Sequence, residues 1–341
     1  MLETIWFILW GVLWAVYFML DGFDFGIGML MPFLAKDDTE RRIMYNAMGP
    51  FWDGNEVWLI TAGGATFAAF PTTYAVMFST LYTPLLIILF ALIVRGVSFE
   101  FRGKVDSAGW RSIWDFCLII GSFVPALLFG VAFANIFEGI PFDGKGILHG
   151  NLLTLLNPYG IAGGILFVLL FLVHGALWLC VKTNDDLQKR AASAASKLWI
   201  PLLIVAVIFL AYSYKATNLY ANYFKWPVLW IIPAIAVIAL LLTRVFIAQR
   251  SWWKAWFASS ATILGCTFFG VAGLYPNLFP SSLNPKYSLT AFNSASSPLT
   301  LKIMLVVALV MVPIVIIYQS WVYYTFRDKV RKEDLSYEEA Y

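Results

Sequence analysis

The sequence predicts an all-α, polytopic membrane protein, and three observations carry that prediction. Hydrophobic residues make up 61% of the chain and charged residues 13%, whereas a soluble domain has about 45–50% apolar and about 25% charged residues. Apolar runs of spanning length recur from one end to the other. The basic residues are confined largely to alternate connections between those runs.

Nine spans are expected, near 4–30, 51–70, 74–100, 113–137, 157–181, 197–216, 227–249, 254–276 and 300–325. The second and third are divided only by Phe70-Pro-Thr-Thr73, with Pro71 as the breaker. Of the 23 basic residues, 17 fall in loops one, three, five and seven and in the C-terminal tail, 5 on the opposite side, and Arg95 inside a span. That asymmetry puts the N-terminus outside and the C-terminus in the cytoplasm. Two outer connections are long: 138–156 is rich in Gly and 274–299 in Pro, Ser and Asn, so both read as irregular. The expected organisation is one membrane domain: a first bundle over 1–137 (spans 1–4), a second over 138–276 (spans 5–8), and an outer loop, ninth helix and tail over 277–341. The tail from Glu333 is acidic and reads as frayed.

Composition excludes several function classes. The net charge of +3 comes from one-sided loops and does not point to nucleic acid. Cys117, Cys180 and Cys266 form no close pair or zinc spacing and read as small apolar residues. No phosphate loop, nucleotide fingerprint or Ser/His/Asp arrangement is present. Of the two histidines, His149 falls in an outer loop and His174 among Leu and Val in span five. A buried structural histidine is the simpler reading of His174, because a haem or metal centre needs convergent ligands.

The informative residues are acids inside the apolar segments. Asp21 and Asp24 lie in Leu20-Asp-Gly-Phe-Asp-Phe-Gly-Ile-Gly28, and Asp53 and Glu56 in Trp52-Asp-Gly-Asn-Glu-Val-Trp58. Each pair is spaced i, i+3, on one helix face. An ionised Asp at mid-bilayer costs roughly 3 kcal/mol on insertion scales, so such residues mark a proton or ion path by default. Orientation places them all in the cytoplasmic half, with Arg95 and Glu100 near the end of span three and Asp115 in the first turn of span four. Arg95 can pair with any of Asp21, Asp24, Asp53 or Glu56, and the competing reading is that such pairing only fixes helix packing. Acids outnumber bases at this depth, so at least one acid is left without a cation. Burial disfavours the charged form of that acid, which suits it to carry a proton. Asp53, near the inner mouth, is the expected carrier, with Glu56 as the next station. Asp21, Asp24, Arg95, Glu100 and Asp115 form the surrounding acid–base network. Gly22, Gly26 and Gly28, and also Gly63-Gly64, are expected to allow close helix approach.

At these residues the sequence resembles subunit II of the cytochrome bd-type quinol oxidases. The resemblance runs through Asp21-Gly-Phe-Asp-Phe-Gly-Ile-Gly-Met29, Asp38-Thr-Glu-Arg-Arg-Ile-Met44, Trp52-Asp-Gly-Asn-Glu-Val-Trp-Leu-Ile-Thr-Ala-Gly-Gly64, Gly121-Ser-Phe-Val-Pro125 and Gly130-Val-Ala-Phe133, and continues to Pro280-Ser-Ser and Leu299-Thr-Leu. It implies nine helices in two four-helix bundles plus a peripheral helix. The implied complex sits in a bacterial or archaeal cytoplasmic membrane, oxidises quinol and reduces dioxygen to water. Haems b and d belong to the partner, subunit I, so no cofactor is expected in this chain. A small single-helix accessory subunit, quinone and lipids are further partners the family can hold. The family's proton-path Asp in Trp-Asp-Gly-Asn maps onto Asp53, and its Asp-Gly-Phe-Asp acids and span-three base map onto Asp21, Asp24 and Arg95. Glu56 departs from members with Gln there.

Two other classes compete. A proton-coupled secondary transporter would also hold intramembrane acids with an Arg, but its site normally lies near the midplane at broken helices. A non-catalytic scaffold subunit would use the same acids only as pairs. Asp53 substitution discriminates: a scaffold would lose assembly rather than turnover per assembled complex.

Overall fold

The computed structural model describes residues 1–336 and 341. Its helices are α1 (Leu2–Leu34), α2 (Asp38–Met48), α3 (Trp52–Ala69), α4 (Pro71–Thr80), α5 (Tyr82–Phe101) and α6 (Ala108–Glu138). They continue with α7 (Leu152–Leu155), α8 (Pro158–Lys182), α9 (Asp185–Ala216), α10 (Leu219–Lys225), α11 (Ile231–Ala248), α12 (Trp252–Leu274) and α13 (Pro298–Thr325). Strands β1 (Asn277–Phe279) and β2 (Leu289–Thr290) pair antiparallel within the last long connection.

Local chemistry sets the boundaries. Asp37 caps α2 by accepting the amide of Glu40 at 2.8 Å. Asn157 and Ser297 cap α8 and α13, each followed by Pro at the first helical position. Pro71 likewise opens α4 directly after α3, as its place in the sequence predicts. The expected single span over 74–100 is instead two helices that break at Leu81. Pro84 explains the break: its ring would collide with the carbonyl of Thr80, and it has no N–H to continue the ladder. Helix α9 starts a full twelve residues before the expected 197, because Leu187, Ala191 and Ala195 recur every four residues and bury one face.

Among the described residues eight helices are long and apolar enough to cross a membrane: α1, α5, α6, α8, α9, α11 with the turn Pro227–Trp230, α12 and α13. The expected second span is α3, at 18 residues about 27 Å long, with Asp53 and Glu56 in its first turns.

The core centres on α1, where every residue from Leu20 to Met31 is buried. It packs on α3 and α6 on one side and on α8 and α12 on the other. Helix α13 lies outermost, with Leu301 as its one fully buried residue. The basic connections gather at one end. Arg190 reaches Leu34 O and Glu40, Arg244 donates to Ser196, and Lys182 donates to the carbonyls of Phe326 and Asp328. The two long connections meet at the other end, where Ile140 bridges Ser281 and Ser281 Oγ donates to Phe142 O at 2.6 Å. They are more ordered than their composition suggests. His149 Nε2 lies 3.0 Å from Asp143 Oδ2 there. The tail is not simply frayed: Glu333–Ser336 form a 3₁₀ turn, Arg42 and Asn46 donate to Tyr341 O, and 337–340 lie outside the described residues.

Candidate functional site

Glycines bring α1 close enough to its neighbours to enclose polar groups. A Cβ on Gly26 would lie 1.9 Å from Phe171 O on α8, and one on Gly28 2.1 Å from Ser122 Oγ on α6. On α6 itself, Gly121 leaves room for the α5 backbone at Arg95. Gly22 meets Phe171 in the same way. Gly63 and Gly64 differ from expectation: a Cβ on either would meet nothing within 4 Å, because that face of α3 looks out of the chain.

Within this enclosure Asp21, Asp24 and Arg95 are each fully buried. Arg95 forms a bidentate pair with Asp21, Nη1 donating to Oδ2 at 3.0 Å and Nη2 to Oδ1. The guanidinium sits over the Phe25 ring at 4.4 Å, and Glu56 approaches its Nη1 at 3.7 Å. This fork-to-fork geometry is the strongest arrangement open to an Arg and a carboxylate. Of the acids considered for Arg95, Asp21 and Glu56 are its partners, and Asp24 and Asp53 are not.

Asp24 is therefore the buried acid without a cation. Its Oδ2 accepts from Asn55 Nδ2 at 2.7 Å, and its Oδ1 has no partner in the protein. Tyr17 Oη, Glu56 Oε1 and Arg95 Nε are likewise buried without hydrogen-bond partners. Four such atoms around one cluster depart from the rule that buried polar groups are paired, and such clusters commonly enclose ordered water.

The remaining predicted residues lie outside this cluster. Asp53 is exposed at the start of α3 and, like Asp24, is in no ion pair among the described residues, so of the acids without a cation the buried one is Asp24. Glu100 is also exposed, with Tyr341 Oη donating to it at 3.4 Å. Asp115 belongs to a second, separate cluster: buried itself, it accepts from the buried Arg102 Nε at 2.6 Å and from Arg41 Nη1 at 2.9 Å, while Arg102 also holds Asp38. Glu100 and Asp115 thus do not join the Asp21–Arg95 network; charges at one depth separate when helix faces differ.

Sequence reasoning missed Asn55, which shares the Asp53–Glu56 motif, and Gln319 and Tyr323 of α13, which both reach Asn55. The available signal was two polar side chains four residues apart in an apolar helix.

His174 is fully buried. Its Nε2 lies 3.0 Å from Met19 O, which can only accept, so Nε2 bears the proton; Nδ1 then accepts from Ser259 Oγ at 3.1 Å. Both ring nitrogens are engaged, and Trp256 stacks on the ring at 5.3 Å. His149 is at the opposite, exposed end, on Asp143. The two histidines do not fit a haem pocket.

Against known proteins, the family model described as cytochrome bd terminal oxidase subunit II matches residues 2–326. The chain is 40% identical over 342 residues to cytochrome bd ubiquinol oxidase subunit 2 of Bacillus subtilis, covering 98% of this chain and 99% of that one. It is 39% identical over 368 residues to cytochrome bd-I ubiquinol oxidase subunit 2 of Escherichia coli K12, covering 98% and 96%. Among solved structures, the bd oxidase from Geobacillus thermodenitrificans aligns with a TM-score of 0.79 at 18% identity, over 95% of this chain and 98% of that chain. The last likeness concerns the fold.

Proposed function

Because the chain belongs to the cytochrome bd terminal oxidase subunit II family, we propose that it works as the subunit without redox centres in a quinol:dioxygen oxidoreductase. Its partner is subunit I, which carries haems b and d, and the pair lies in the cytoplasmic membrane. Quinol is oxidised and dioxygen reduced at subunit I, with protons for water drawn from the cytoplasmic side. All nine segments span the membrane in this reading, as two four-helix bundles plus α13, with the basic end cytoplasmic.

This subunit contributes a proton inlet. Asp53 stands exposed at the basic end as the mouth, Glu56 lies one turn deeper, and Asp24 is the buried acid beyond it. The Asp21–Arg95 pair is a closed structural unit that sets the local field. The observation that carries the reading is Asp24: a fully buried carboxyl group in no ion pair among the described residues, beside Glu56 and Arg95. Asp21–Arg95 alone would suit a scaffold; Asp24 does not, because an uncompensated buried acid stabilises nothing.

The test starts from the complex purified through a tag on this chain. A haem spectrum must accompany it. Asp53→Asn is then expected to assemble normally and to lower proton-coupled turnover per haem several-fold. Unchanged turnover would remove Asp53 from the path, and a colourless solitary protein would remove the oxidase reading itself.

A further inference from the structure

Helix α13 is exposed along most of its length in this chain, yet two of its polar side chains turn inward. Gln319 and Tyr323 are half-buried and four residues apart, on one face. Gln319 Oε1 accepts from Trp58 Nε1 at 2.8 Å. Gln319 Nε2 donates to Asn55 Oδ1 at 3.2 Å and to Gly54 O at 3.4 Å. Tyr323 Oη donates to Asn55 Oδ1 at 2.9 Å. Asn55, itself fully buried, donates through Nδ2 to Leu20 O at 3.2 Å and to Asp24 Oδ2 at 2.7 Å.

The direction of this chain follows from donor chemistry. An indole N–H only donates, so the oxygen of Gln319 must face Trp58. Its amide nitrogen then faces Asn55, which must answer with oxygen. The amide nitrogen of Asn55 is thereby turned onto Asp24, and the carbonyl of Leu20, an obligate acceptor, requires the same orientation. Donors run Trp58 to Gln319 to Asn55 to Asp24, and they fill one carboxyl oxygen only. Oδ1 of Asp24 is left without a protein partner. The charged groups facing it are Asp21 on its own helix, Glu56 on α3 and Arg95 on α5, with the Tyr323 phenol on α13. Arg95 is taken by Asp21. A carboxyl group so placed has one oxygen held by a donor and the other open to a proton.

We propose that Gln319 and Tyr323 are positioning residues that lock the Asn55 amide as a donor to Oδ2 of Asp24 and so leave Oδ1 as the one carboxyl oxygen open to a proton. The use of that proton in turnover rests on the function proposed above; the lock itself does not. Helix α13 then has a role beyond filling the periphery, since through α3 it fixes which oxygen of an acid on α1 is open to a proton.

The experiment uses the assembled, haem-containing complex and infrared difference spectroscopy across pH. A protonated-carboxyl C=O band that Asp24→Asn abolishes is the expected signal at neutral pH. Gln319→Leu frees the amide of Asn55 to rotate and takes a donor from the carboxylate, so the titration midpoint of that band should rise by about one pH unit, a tenfold change in the proton equilibrium. Tyr323→Phe removes one hydroxyl at constant shape and should move it in the same sense by less, which keeps the proposal testable if Gln319→Leu assembles poorly. Absence of any band belonging to Asp24 would overturn the proposal, as would a midpoint that neither variant moves. A shifted band with an unaltered pH profile of turnover would sustain the lock and defeat the proton-inlet reading. An altered pH profile with the band unmoved would defeat the lock.

Discussion

Removing either partner of the Asp21–Arg95 pair should destabilise the complex, and by unequal amounts. The contact at 3.0 Å between Arg95 Nη1 and Asp21 Oδ2, with a second parallel contact, puts the charge centres about 4 Å apart. At an effective dielectric near 20 that attraction is about 4 kcal/mol. Breaking a buried pair from one side typically costs about 3–5 kcal/mol, since the survivor is left uncompensated. Asp21→Asn leaves Arg95 with Glu56 at 3.7 Å as a second anion, so its cost falls near the lower limit. Arg95→Leu strands Asp21 and takes the only cation from Glu56, so its cost falls near the upper limit. The double variant leaves Glu56, whose side chain is 22% exposed and can reach water, and Asp24, which is in no ion pair among the described residues to begin with; its cost should be small. Read as the thermal midpoint of haem-containing complex, at about 2 °C per kcal/mol for a chain of this size, the expected losses are about 6 °C, about 10 °C and under about 3 °C. Equal losses in the two single variants, or a double variant as impaired as Arg95→Leu, would refute the argument that an unpaired buried charge is the origin of the cost.

Two further outcomes follow from the geometry. The hydrogen bond from His149, then the amides of Ile147 and Lys145, hold the Asp143 carboxyl down to about 2. Its folded value lies below the unfolded one near 3.9, so the order it confers on 143–149 is complete above about pH 4 and is lost as pH falls through about 2. Protection factors for the Lys145 and Ile147 amides, measured by hydrogen exchange, should fall across that window and stay flat in Asp143→Asn. Gly26→Ala places a carbon 1.9 Å from a backbone oxygen and should abolish a stable complex, whereas Gly63→Ala, with open space around it, should leave the fold of this chain intact; expression and thermal midpoint check both.

The parts of the fold set by local rules were readable in advance. Apolar runs located the long helices, and the Pro71 turn was placed correctly. Gly22, Gly26 and Gly28 do mediate close contacts. What local rules do not carry is which faces meet. Glu100 and Asp115 lie at the depth of Arg95, and the sequence groups them with it. They separate because Glu100 is exposed and Asp115 is taken by Arg102 and Arg41. The break at Leu81 was legible in Pro84, but a continuous apolar pattern across it masked the signal.

The assignment of the unpaired acid shows the same limit from another side. Charge counting established that at least one acid lacks a cation but could not say which such acid is buried, because that depends on rotation of helices about their axes. Asp53 and Glu56 share a face of α3, and only the deeper Glu56 reaches Arg95; Asp53 is left exposed at the helix start. Asp21 and Asp24 share a face of α1, and Asp21 alone takes the guanidinium. Asp24 is turned instead toward Asn55 and, through it, toward α13 nearly 300 residues later. A contact of that range leaves almost no local trace: Gln319 and Tyr323 are two polar side chains in an apolar helix, and their meaning depends on the amide they hold.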